Sequence, residues 1–488
     1  MPALMIQGCG SDVGKTVLVA GLCRLLANRG YSVRPFKPQN MSNNAAVTPQ
    51  GGEIGRSTAL QALACRVPPH VDMNPILLKP QSDVGAQLIV LGQRVGELQA
   101  HAHGRSKRAL LDIAVDSFRR LQRTAEWIIV EGAGSPAETN LRTHDIANMG
   151  FAHAANVPVV LVGDIDRGHV IAALVGAHAV LDAADRARVR AFLINKFRGE
   201  RALFDAGIDT IVARTNWASL GVVPWLRSAM YLPEEDALRV EQSVATRPDV
   251  TRRVRIVAVR LQHIANFDDL DPLAHEPYVD FRWVLPLDPL PLDADLLIIP
   301  GSKATIADLT MLREHGWHHD IHAYVRRGGR VLGICGGLQM LGRAIRDPLR
   351  IEGACAVIEG LGLLDFDTEM TAHKLLREVT GIDTASGARA SGYEMHIGRS
   401  HGPALSRPMI RFDDATSDGA VSTNGRVFGC HVHGLLQDES FRAALLDRLG
   451  AASAGGDHRQ RIHAALDDIA MTLEQNLDVD ALLQLAVS

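Results

Sequence analysis

Short apolar runs alternate with helix-length stretches between residues 3 and 230 of this chain. Stretches with helical spacing of apolar residues separate several of these runs, at 15–28, 106–123 and 170–184. A succession of strand, helix and strand predicts a parallel sheet with helices on both faces, whose ligands bind at the carboxyl ends of the strands. The apolar runs predicted to be strands lie at 3–7, 32–36, 87–91, 127–130, 157–162, 189–194 and 220–223.

A polar stretch at 233–250, bounded by Pro233 and Pro248, is typical of a connection between domains. We therefore predict a first domain at 1–232 and a second at 251–488. The second domain has apolar runs at 254–261 and 295–299, and then a β-rich portion up to about residue 433. A tail with helical spacing at 441–449 and 462–473 is assigned to the same domain. Both domains are predicted to be α/β.

The composition is that of a globular protein and argues against two classes of partner. With 47% hydrophobic residues and a formal net charge of -4, the chain offers no electrostatic reason to bind nucleic acid or an anionic membrane. Its 6 cysteines include no C-x-x-C pair, so neither a disulfide framework nor a zinc site is expected. The N-terminal residues lack a signal-peptide pattern, and no apolar run reaches transmembrane length. We expect a cytoplasmic protein, and the sequence leaves its oligomeric state open.

The segment Gly8-Cys-Gly-Ser-Asp-Val-Gly-Lys-Thr16 follows the first predicted strand and opens the first predicted helix. This context is that of a phosphate-binding P-loop, here one residue longer than the common G-x-x-x-x-G-K-[ST] spacing. Glycines allow the backbone to wrap the phosphates, the lysine reaches the β- and γ-phosphates, and the threonine hydroxyl binds Mg²⁺. The nucleotide-binding residues expected in this loop are Gly10, Asp12, Gly14, Lys15 and Thr16.

Two further charged residues stand at the ends of predicted strands of the first domain. Glu131 follows the run 127–130, where a second Mg²⁺ group of a P-loop site belongs, although an acid that merely ends a strand is the alternative. Lys37 follows the run 32–36 and would add positive charge near the transferred phosphoryl group. A solvated surface lysine is the alternative reading of Lys37.

In the second domain, the stretch Gly333-Ile-Cys-Gly-Gly337 lies between a short apolar run and an amphipathic one. This is the layout of a nucleophile elbow, in which small neighbours permit the strained backbone of the nucleophile, here Cys335. The start of the following helix would lower the pKa of the thiol. A buried cysteine in an ordinary turn is the alternative. A reactive thiol needs a base, and His431 and His433 are the candidates, predicted to lie on the same face of one strand.

The elbow and the histidine segment resemble the class I glutamine amidotransferases. In that family the base is followed by Pro and then by an orienting Glu, and only His433 lies in this frame. Leu435 occupies the position of the Glu, so the resemblance implies a Cys335–His433 pair without an orienting acid, and a structural role for His431. The segment 298–302 resembles the loop that stabilises the oxyanion, through the backbone N–H of Gly301 or Ser302 together with that of Gly336. Glutamine is the implied substrate, and an inactive glutaminase-like domain is the alternative.

Short phrases stand along the chain at 36–41, 51–56, 73–80, 131–136, 145–149, 163–168, 300–303, 392–396 and 433–434. On these phrases the chain resembles, along nearly its full length, the cobyric acid synthase family, the glutamine-dependent amidotransferases of cobalamin synthesis. The resemblance implies that ATP, with Mg²⁺, phosphorylates the b, d, e and g carboxylates of the corrinoid adenosylcobyrinic acid a,c-diamide, and that ammonia then displaces phosphate. One departure is His169, where the family usually has glycine.

The resemblance also implies roles for individual residues. The polar stretch 37–56 would line the corrinoid site, where an ordinary solvated loop is the alternative. By similarity to the dethiobiotin-synthetase branch of P-loop proteins, Glu53 would be a third Mg²⁺ group and Asn195 would recognise adenine. His396 is expected to be structural. The residues predicted to contact the corrinoid are Gln39, Asn40, Asn43 and Asn44.

Two competing functions remain open from the sequence. One is the sister amidation of the a and c carboxylates of cobyrinic acid, which uses the same two-domain design. The other is a P-loop ATPase that acts as a switch and carries an inactive glutaminase-like domain.

Overall fold

The computed structural model describes residues 2–80, 85–99, 104–233, 254–353 and 355–487. These residues form two compact units, each with its own core. The first unit comprises residues up to 42, 48–233 and those from 461 onward, and the second comprises 43–47 and the described residues from 254 to 460. Most of the predicted linker, residues 234–250, lies outside the described residues.

Strands and helices alternate along much of the first 233 residues, as the sequence predicts, but two groups of consecutive strands, at 33–55 and 76–99, have no α-helix between their members. The strands are β1 (Ala3–Gly8), β2 (Val33–Phe36), β3 (Gln39–Met41), β4 (Ala45–Val47), β5 (Glu53–Gly55), β6 (Ile76–Pro80), β7 (Gly85–Val90), β8 (Gln93–Gln99), β9 (Trp127–Glu131), β10 (Val159–Asp164), β11 (Val189–Phe197) and β12 (Ala218–Pro224). The helices are α1 (Lys15–Asn28), α2 (Arg56–Ala64), α3 (Gly104–Gln122), α4 (Met149–Ala154), α5 (Val170–Val180), α6 (Ala183–Arg188) and α7 (Asp205–Thr215).

The main sheet of the first unit is parallel, in the order β12-β11-β10-β1-β9-β2. Alternate residues of β1 enter cores on opposite faces: Leu4 packs in the core that contains α1, and Met5 in the core that contains α3 and α4. Burial of both faces explains why β9 and β10 are nearly continuous apolar runs. The predicted α/β class with a parallel sheet is therefore confirmed for this unit.

One predicted strand belongs to a different sheet. The run 87–91 was expected in the parallel sheet, but β7 pairs antiparallel with β6 and β8 in a separate sheet of order β3-β6-β7-β8. A short apolar strand carries the same pattern in either setting, because its partners are not encoded in its own residues.

The second unit is also α/β and contains two sheets. Its strands are β13 (Val254–Val259), β14 (Val279–Val284), β15 (Leu296–Ile299), β16 (Val331–Ile334), β17 (Ala344–Arg346), β18 (Val357–Glu359), β19 (Asp367–Asp383), β20 (Arg389–His401), β21 (Ile410–Phe412), β22 (Ser417–Asp418), β23 (Ala420–Val421), β24 (Val427–Cys430) and β25 (Val432–His433). Its helices are α8 (Asp271–Ala274), α9 (Thr305–Glu314), α10 (Trp317–Arg326), α11 (Gly336–Leu341) and α12 (Glu439–Leu449).

The first of these sheets has the order β14-β13-β15-β16-β24-β23 and is parallel except for β23. The second sheet, built around the long hairpin of β19 and β20, accounts for the predicted β-rich portion and ends at β25. Because β16 and β24 are neighbours, the turns that follow them lie at the same edge of the parallel sheet. This edge carries Cys335 and the histidine segment.

The chain ends with α13 (His458–Asn476) and α14 (Val479–Leu485). The sequence assigns this tail to the second domain, but residues from 461 onward pack in the first unit. Leu466, Ile469 and Leu473 enter the same core as α1, and a Cβ added at Gly21 of α1 would lie 2.6 Å from Leu473 Cδ1. The domain assignment of the tail is therefore corrected: its apolar face covers α1. No helix in the described part of the chain is long and apolar enough to cross a membrane.

Candidate functional site

The loop between β1 and α1 is built as a phosphate cradle. Gly14 caps α1 with a left-handed φ of 91°, which glycine adopts without strain. The Lys15 ammonium donates hydrogen bonds to the Gly10 carbonyl (3.0 Å) and to the Gly134 carbonyl (3.2 Å). The lysine therefore lies across the loop, where a phosphate anion would meet it together with the amides at the start of α1.

Residues at the end of β11 hold this loop in place. Asn195 Nδ2 donates to the Val13 carbonyl over 2.8 Å, and the Lys196 ammonium donates to the Asp12 carbonyl. The Asp12 carboxylate itself pairs with Arg167 at 3.3 Å. The amide nitrogen of Asn195 thus supports the loop backbone, and recognition of adenine by this residue stays a prediction.

Glu131 is the centre of a buried polar cluster at the end of β9. Its Oε1 accepts hydrogen bonds from Thr16 Oγ1 (2.7 Å) and from the Lys37 ammonium (3.1 Å), and its Oε2 accepts one from Gln61. Lys37 is 3% exposed, so the alternative of a solvated surface lysine is wrong. Gln61 was missed by the sequence reasoning because its place on α2 carries no motif. Thr16 and Glu131 present adjacent oxygen atoms, the ligand type that Mg²⁺ prefers, so these residues fit the predicted ion.

Glu53, the predicted third Mg²⁺ group, forms a different interaction. Its Oε1 lies 2.6 Å from the Lys79 ammonium, and both side chains are almost fully buried. Among the residues that the structure describes, no group of three or more His, Cys, Asp or Glu is arranged to hold a metal ion. The Glu53 carboxylate thus pairs with Lys79, and its role in binding Mg²⁺ stays a prediction.

The four predicted corrinoid contacts are divided between the two units. Gln39 and Asn40 lie on β3 in the first unit, where Asn40 Nδ2 donates to Ser57 Oγ over 3.2 Å. Asn43 and Asn44 belong to the second unit, where Asn44 Oδ1 accepts from the Asn266 backbone N–H over 2.7 Å. Since Asn40 and Asn44 are buried, this stretch is not an ordinary solvated loop.

Cys335 stands at the turn between β16 and α11 with φ 52° and ψ -110°, a conformation that is strained for a residue with a side chain. A Cβ at Gly337 would overlap the Ile299 carbonyl oxygen, which explains the glycine there. Burial alone would raise the pKa of the Cys335 thiol, but the charge of His433 and a hydrogen bond from it bring the pKa below its ordinary value. The predicted elbow geometry is present, and the thiol is the type of group that acts as a nucleophile.

The imidazole of His433 has a carboxylate partner. His433 Nδ1 donates to Asp269 Oδ2 over 2.6 Å, and the Gly434 N–H donates to Asp269 Oδ1 over 2.7 Å. Burial opposes the charged imidazole, but Asp269 and the Cys335 sulfur raise the pKa of His433 to about 10. The expectation of a pair without an orienting acid is therefore wrong. The acid comes from the 3₁₀ helix Phe267–Leu270, and no local spacing around the histidine indicates it.

His431 and His433 do not share one strand. Strand β24 ends at Cys430 and β25 begins at Val432, so the chain bends at His431. His431 Nδ1 lies 2.7 Å from Asp418 Oδ1, and the ring of His396 stacks on it with a centroid separation of 4.0 Å. Burial is the main cause that lowers the pKa of His396 to about 3, which keeps that ring neutral. These contacts suit the structural roles expected of both residues.

The predicted oxyanion groups lie beside the thiol and the base. A Cβ added at Gly301 would be 2.9 Å from His433 Cε1, and one added at Gly336 would be 3.0 Å from the Ser302 nitrogen. A hydrogen bond from the Gly336 backbone N–H to Cys335 also helps to lower the thiol pKa. The elbow, the base and the glycine loop thus converge, and the roles of Gly301 and Gly336 in binding an oxyanion stay predictions.

Family profiles match each half of the chain separately. The profile described as CobQ/CobB/MinD/ParA nucleotide binding domain matches residues 4–239. The profile described as CobB/CobQ-like glutamine amidotransferase domain matches residues 255–441. Together with the two sites described above, these matches define a glutamine amidotransferase that carries a nucleotide-binding domain.

Curated relatives are similar over the whole length of the chain. A cobyric acid synthase from Caulobacter sp. (strain K31) is 60% identical, with 100% of both chains covered. Those from Sphingopyxis alaskensis and Rhizorhabdus wittichii are 58% and 56% identical, with 100% of this chain and 99% of each relative covered. The chain belongs to the cobyric acid synthase family.

Proposed function

We propose that this chain catalyses the ATP- and glutamine-dependent amidation of the b, d, e and g carboxylates of adenosylcobyrinic acid a,c-diamide. The observation that carries the proposal is the combination, in one chain of this family, of a phosphate-binding loop and a Cys335–His433–Asp269 arrangement. The first supplies an activated carboxylate and the second supplies ammonia. The product would be adenosylcobyric acid.

The glutaminase reaction begins at Cys335. Its thiolate attacks the amide carbon of glutamine, and the negative charge on the carbonyl oxygen is stabilised by the backbone N–H groups of Gly301 and Gly336. His433 gives its proton to the departing nitrogen, so ammonia leaves and a γ-glutamyl thioester forms. A water molecule, deprotonated by His433, then hydrolyses the thioester to glutamate and the free thiolate.

The synthetase reaction needs a better leaving group than a carboxylate offers. A corrinoid carboxylate oxygen attacks the γ-phosphorus of ATP, which gives an acyl phosphate and ADP, while Lys15 stabilises the charge on the transferred group. Ammonia then attacks the acyl carbon, and phosphate leaves to give the amide. Thr16 and Glu131 would hold Mg²⁺, which supplies neutralisation of the phosphate charge. Gln39 and Asn40 are the corrinoid contacts proposed in the first unit.

The decisive experiment compares two nitrogen sources in two variants. Cys335→Ala should lose glutamine-dependent amidation and keep amidation driven by ammonium salts, whereas Lys15→Ala should lose both. A Cys335→Ala protein with the wild-type glutamine-dependent rate would refute the assigned nucleophile.

The acceptor is tested by supplying corrinoids separately with ATP and glutamine. Adenosylcobyrinic acid a,c-diamide should be amidated, with four ammonia equivalents incorporated because four carboxylates are available. Turnover of cobyrinic acid without turnover of its a,c-diamide would favour the sister reaction. ATP hydrolysis with no amidation of either corrinoid would favour a P-loop ATPase that acts as a switch.

A further inference from the structure

Residues 43–47 are tied to the second unit through Asn266. Asn44 Oδ1 accepts a hydrogen bond of 2.7 Å from the Asn266 backbone N–H, and the Ala45 N–H donates one of 3.2 Å to Asn266 Oδ1. All three residues are buried. Asn266 has a left-handed φ of 52°, which asparagine tolerates better than most residues. The two bonds therefore fix both the backbone and the side chain of Asn266.

A short series of hydrogen bonds continues from Asn266 to the base. The Asn266 carbonyl accepts from the Asp269 N–H over 3.0 Å, which is a turn of the 3₁₀ helix Phe267–Leu270. Asp269 Oδ2 then accepts from His433 Nδ1 over 2.6 Å. Both steps are hydrogen bonds, so a displacement of Asn266 would also displace Asp269, whose carboxylate orients His433.

Tyr393 provides a second connection between the same partners. Its hydroxyl accepts from Asn266 Nδ2 over 2.8 Å and donates to the Ala45 carbonyl over 3.3 Å. Its ring stacks on the ring of His433, with centroids 5.6 Å apart and planes at 23°. The Tyr393 hydroxyl thus contacts the backbone of Ala45, and the Tyr393 ring packs against one face of the His433 imidazole.

The stretch that leads to Asn266 also runs along the glycine loop. The Ala265 N–H donates to the Gly301 carbonyl over 2.9 Å, and Ile264 bridges to Ser302. The position of Asn266 therefore bears on both the base and the proposed oxyanion groups.

We propose that residues 43–47, acting through Asn266 and Tyr393, position His433, so that corrinoid binding to the stretch 37–56 sets the rate of glutamine hydrolysis. This inference rests on the proposed function. The chain on either side of the segment, up to Ser42 and from Thr48, belongs to the first unit, and the proposed corrinoid contact Asn40 is only a few residues away. Free ammonia protonates in water, so hydrolysis without an acceptor wastes glutamine. A shift of about 1 Å in a catalytic group changes a rate by about 100-fold, which makes such positioning an effective control.

Two variants delete side-chain links and leave Cys335, His433 and Asp269 unchanged, while the hydrogen bond from the backbone N–H of residue 266 to Asn44 Oδ1 stays available in both. Tyr393→Phe deletes the hydroxyl and keeps the ring on His433, and Asn266→Gly keeps the left-handed backbone and deletes the side-chain bonds. Tyr324→Phe is the matched control, because its hydroxyl also makes two hydrogen bonds in the second unit, to the Ala294 carbonyl and from the Arg330 N–H.

The measurement is glutamine hydrolysis with and without ATP and the corrinoid, alongside amidation driven by ammonium salts. In the wild type and in Tyr324→Phe, ATP and the corrinoid should raise kcat for hydrolysis by about 10-fold or more. In Tyr393→Phe and Asn266→Gly this increase should disappear, with KM for glutamine and ammonium-driven amidation unchanged.

Equal rates of glutamine hydrolysis with and without the corrinoid in the wild type would overturn the inference. It would also be overturned if the corrinoid raised the rate in both Tyr393→Phe and Asn266→Gly as much as it does in the wild type. Neither result touches the proposed function. That function fails on a separate observation, the absence of ammonium-driven amidation in the wild type.

Discussion

Asp269 and His433, which are 164 positions apart in the sequence, are joined by a 2.6 Å hydrogen bond between Asp269 Oδ2 and His433 Nδ1. The second carboxylate oxygen is held by the Gly434 N–H at 2.7 Å, so the carboxylate has a single fixed orientation. Both residues are buried, at 3% and 2% exposure, where such a bond is strong. The acid that orients His433 is therefore Asp269, which lies in a part of the chain that carries no amidotransferase motif.

Replacing this acid should impair glutamine use selectively. Asp269→Asn retains the size of the side chain but removes the charge that favours the imidazolium and the correct tautomer of His433. We expect glutamine-dependent kcat to fall by roughly 100- to 10,000-fold, with ammonium-driven amidation unchanged. Asp418→Asn, at the carboxylate paired with His431, is the control and should cost much less. Equal losses in the two variants would contradict a special role for Asp269.

The pH dependence of Cys335 alkylation should report the same interaction. The Asp269 charge raises the pKa of His433, and the resulting imidazolium lowers the pKa of the Cys335 thiol. The thiolate is then present at a pH below the ordinary thiol range, and its reaction with iodoacetamide slows only as pH falls through the lowered pKa. In Asp269→Asn the imidazolium is less stable, so the thiol pKa rises and the profile moves to higher pH. Mass spectrometry of the Cys335 peptide measures the rate, and coincident profiles would refute this coupling.

Glu131 should be needed for both stability and the use of Mg²⁺. Its side chain and that of Lys37 are 1% and 4% exposed, so Glu131→Gln leaves a buried lysine without its carboxylate and should cost about 3–5 kcal/mol. In Glu131→Gln we also expect Mg²⁺ no longer to strengthen ATP binding. Adding Lys37→Met should recover much of the lost stability but should not restore this effect of Mg²⁺. Calorimetric titration with ATP, with and without Mg²⁺, measures the second effect.

Glu53→Gln is the control for the Glu131 variant. It also breaks a buried ion pair, the one with Lys79, and should therefore destabilise the protein while leaving the Mg²⁺ effect on ATP binding intact. Loss of the Mg²⁺ effect in Glu53→Gln, with its retention in Glu131→Gln, would reverse the assignment.

The packing of α13 on α1 predicts opposite effects for two glycine substitutions in helices. A Cβ at Gly21 would lie 2.6 Å from Leu473 Cδ1 and 2.7 Å from Ile469 Cγ2, so Gly21→Ala should destabilise the first unit by about 1–3 kcal/mol. Gly176 of α5 has no atom within 4 Å of the same position, and Gly176→Ala should stabilise by about 1 kcal/mol through helix propensity. Differential scanning calorimetry of both variants compares them. A stabilised Gly21→Ala protein would show that α13 does not cover α1.

The features that were predictable from the sequence are those encoded over a few neighbouring residues. The phosphate loop with Lys15 and the elbow at Cys335 each depend on a short glycine pattern between a strand and a helix, and both have the expected backbone. Helix α1 has the predicted bounds because its apolar spacing begins directly after the loop.

What escaped prediction depends on partners that are distant in sequence. The role of Asp269 depends on its contact with His433, and the environment of Glu53 depends on its contact with Lys79; neither contact is visible in the local sequence. The apolar stripe of α13 shows that one face is buried but does not say against which unit. Even the two-residue spacing of His431 and His433 was misleading, since the chain changes sheets between them.

The division of the chain into units has a consequence for its synthesis. The last helices complete the core around α1, yet they leave the ribosome after every other residue of both units. The glutaminase-type unit is therefore fully translated first, although most of it is encoded in the later part of the gene. Until the last helices are translated, one face of α1 in the nucleotide-binding unit has no partner to cover it. A gene divided at residues 234–250 would separate the nucleotide-binding unit from its last helices. It would also separate the glutaminase-type unit from residues 43–47. Neither unit is therefore encoded by one continuous segment of the gene.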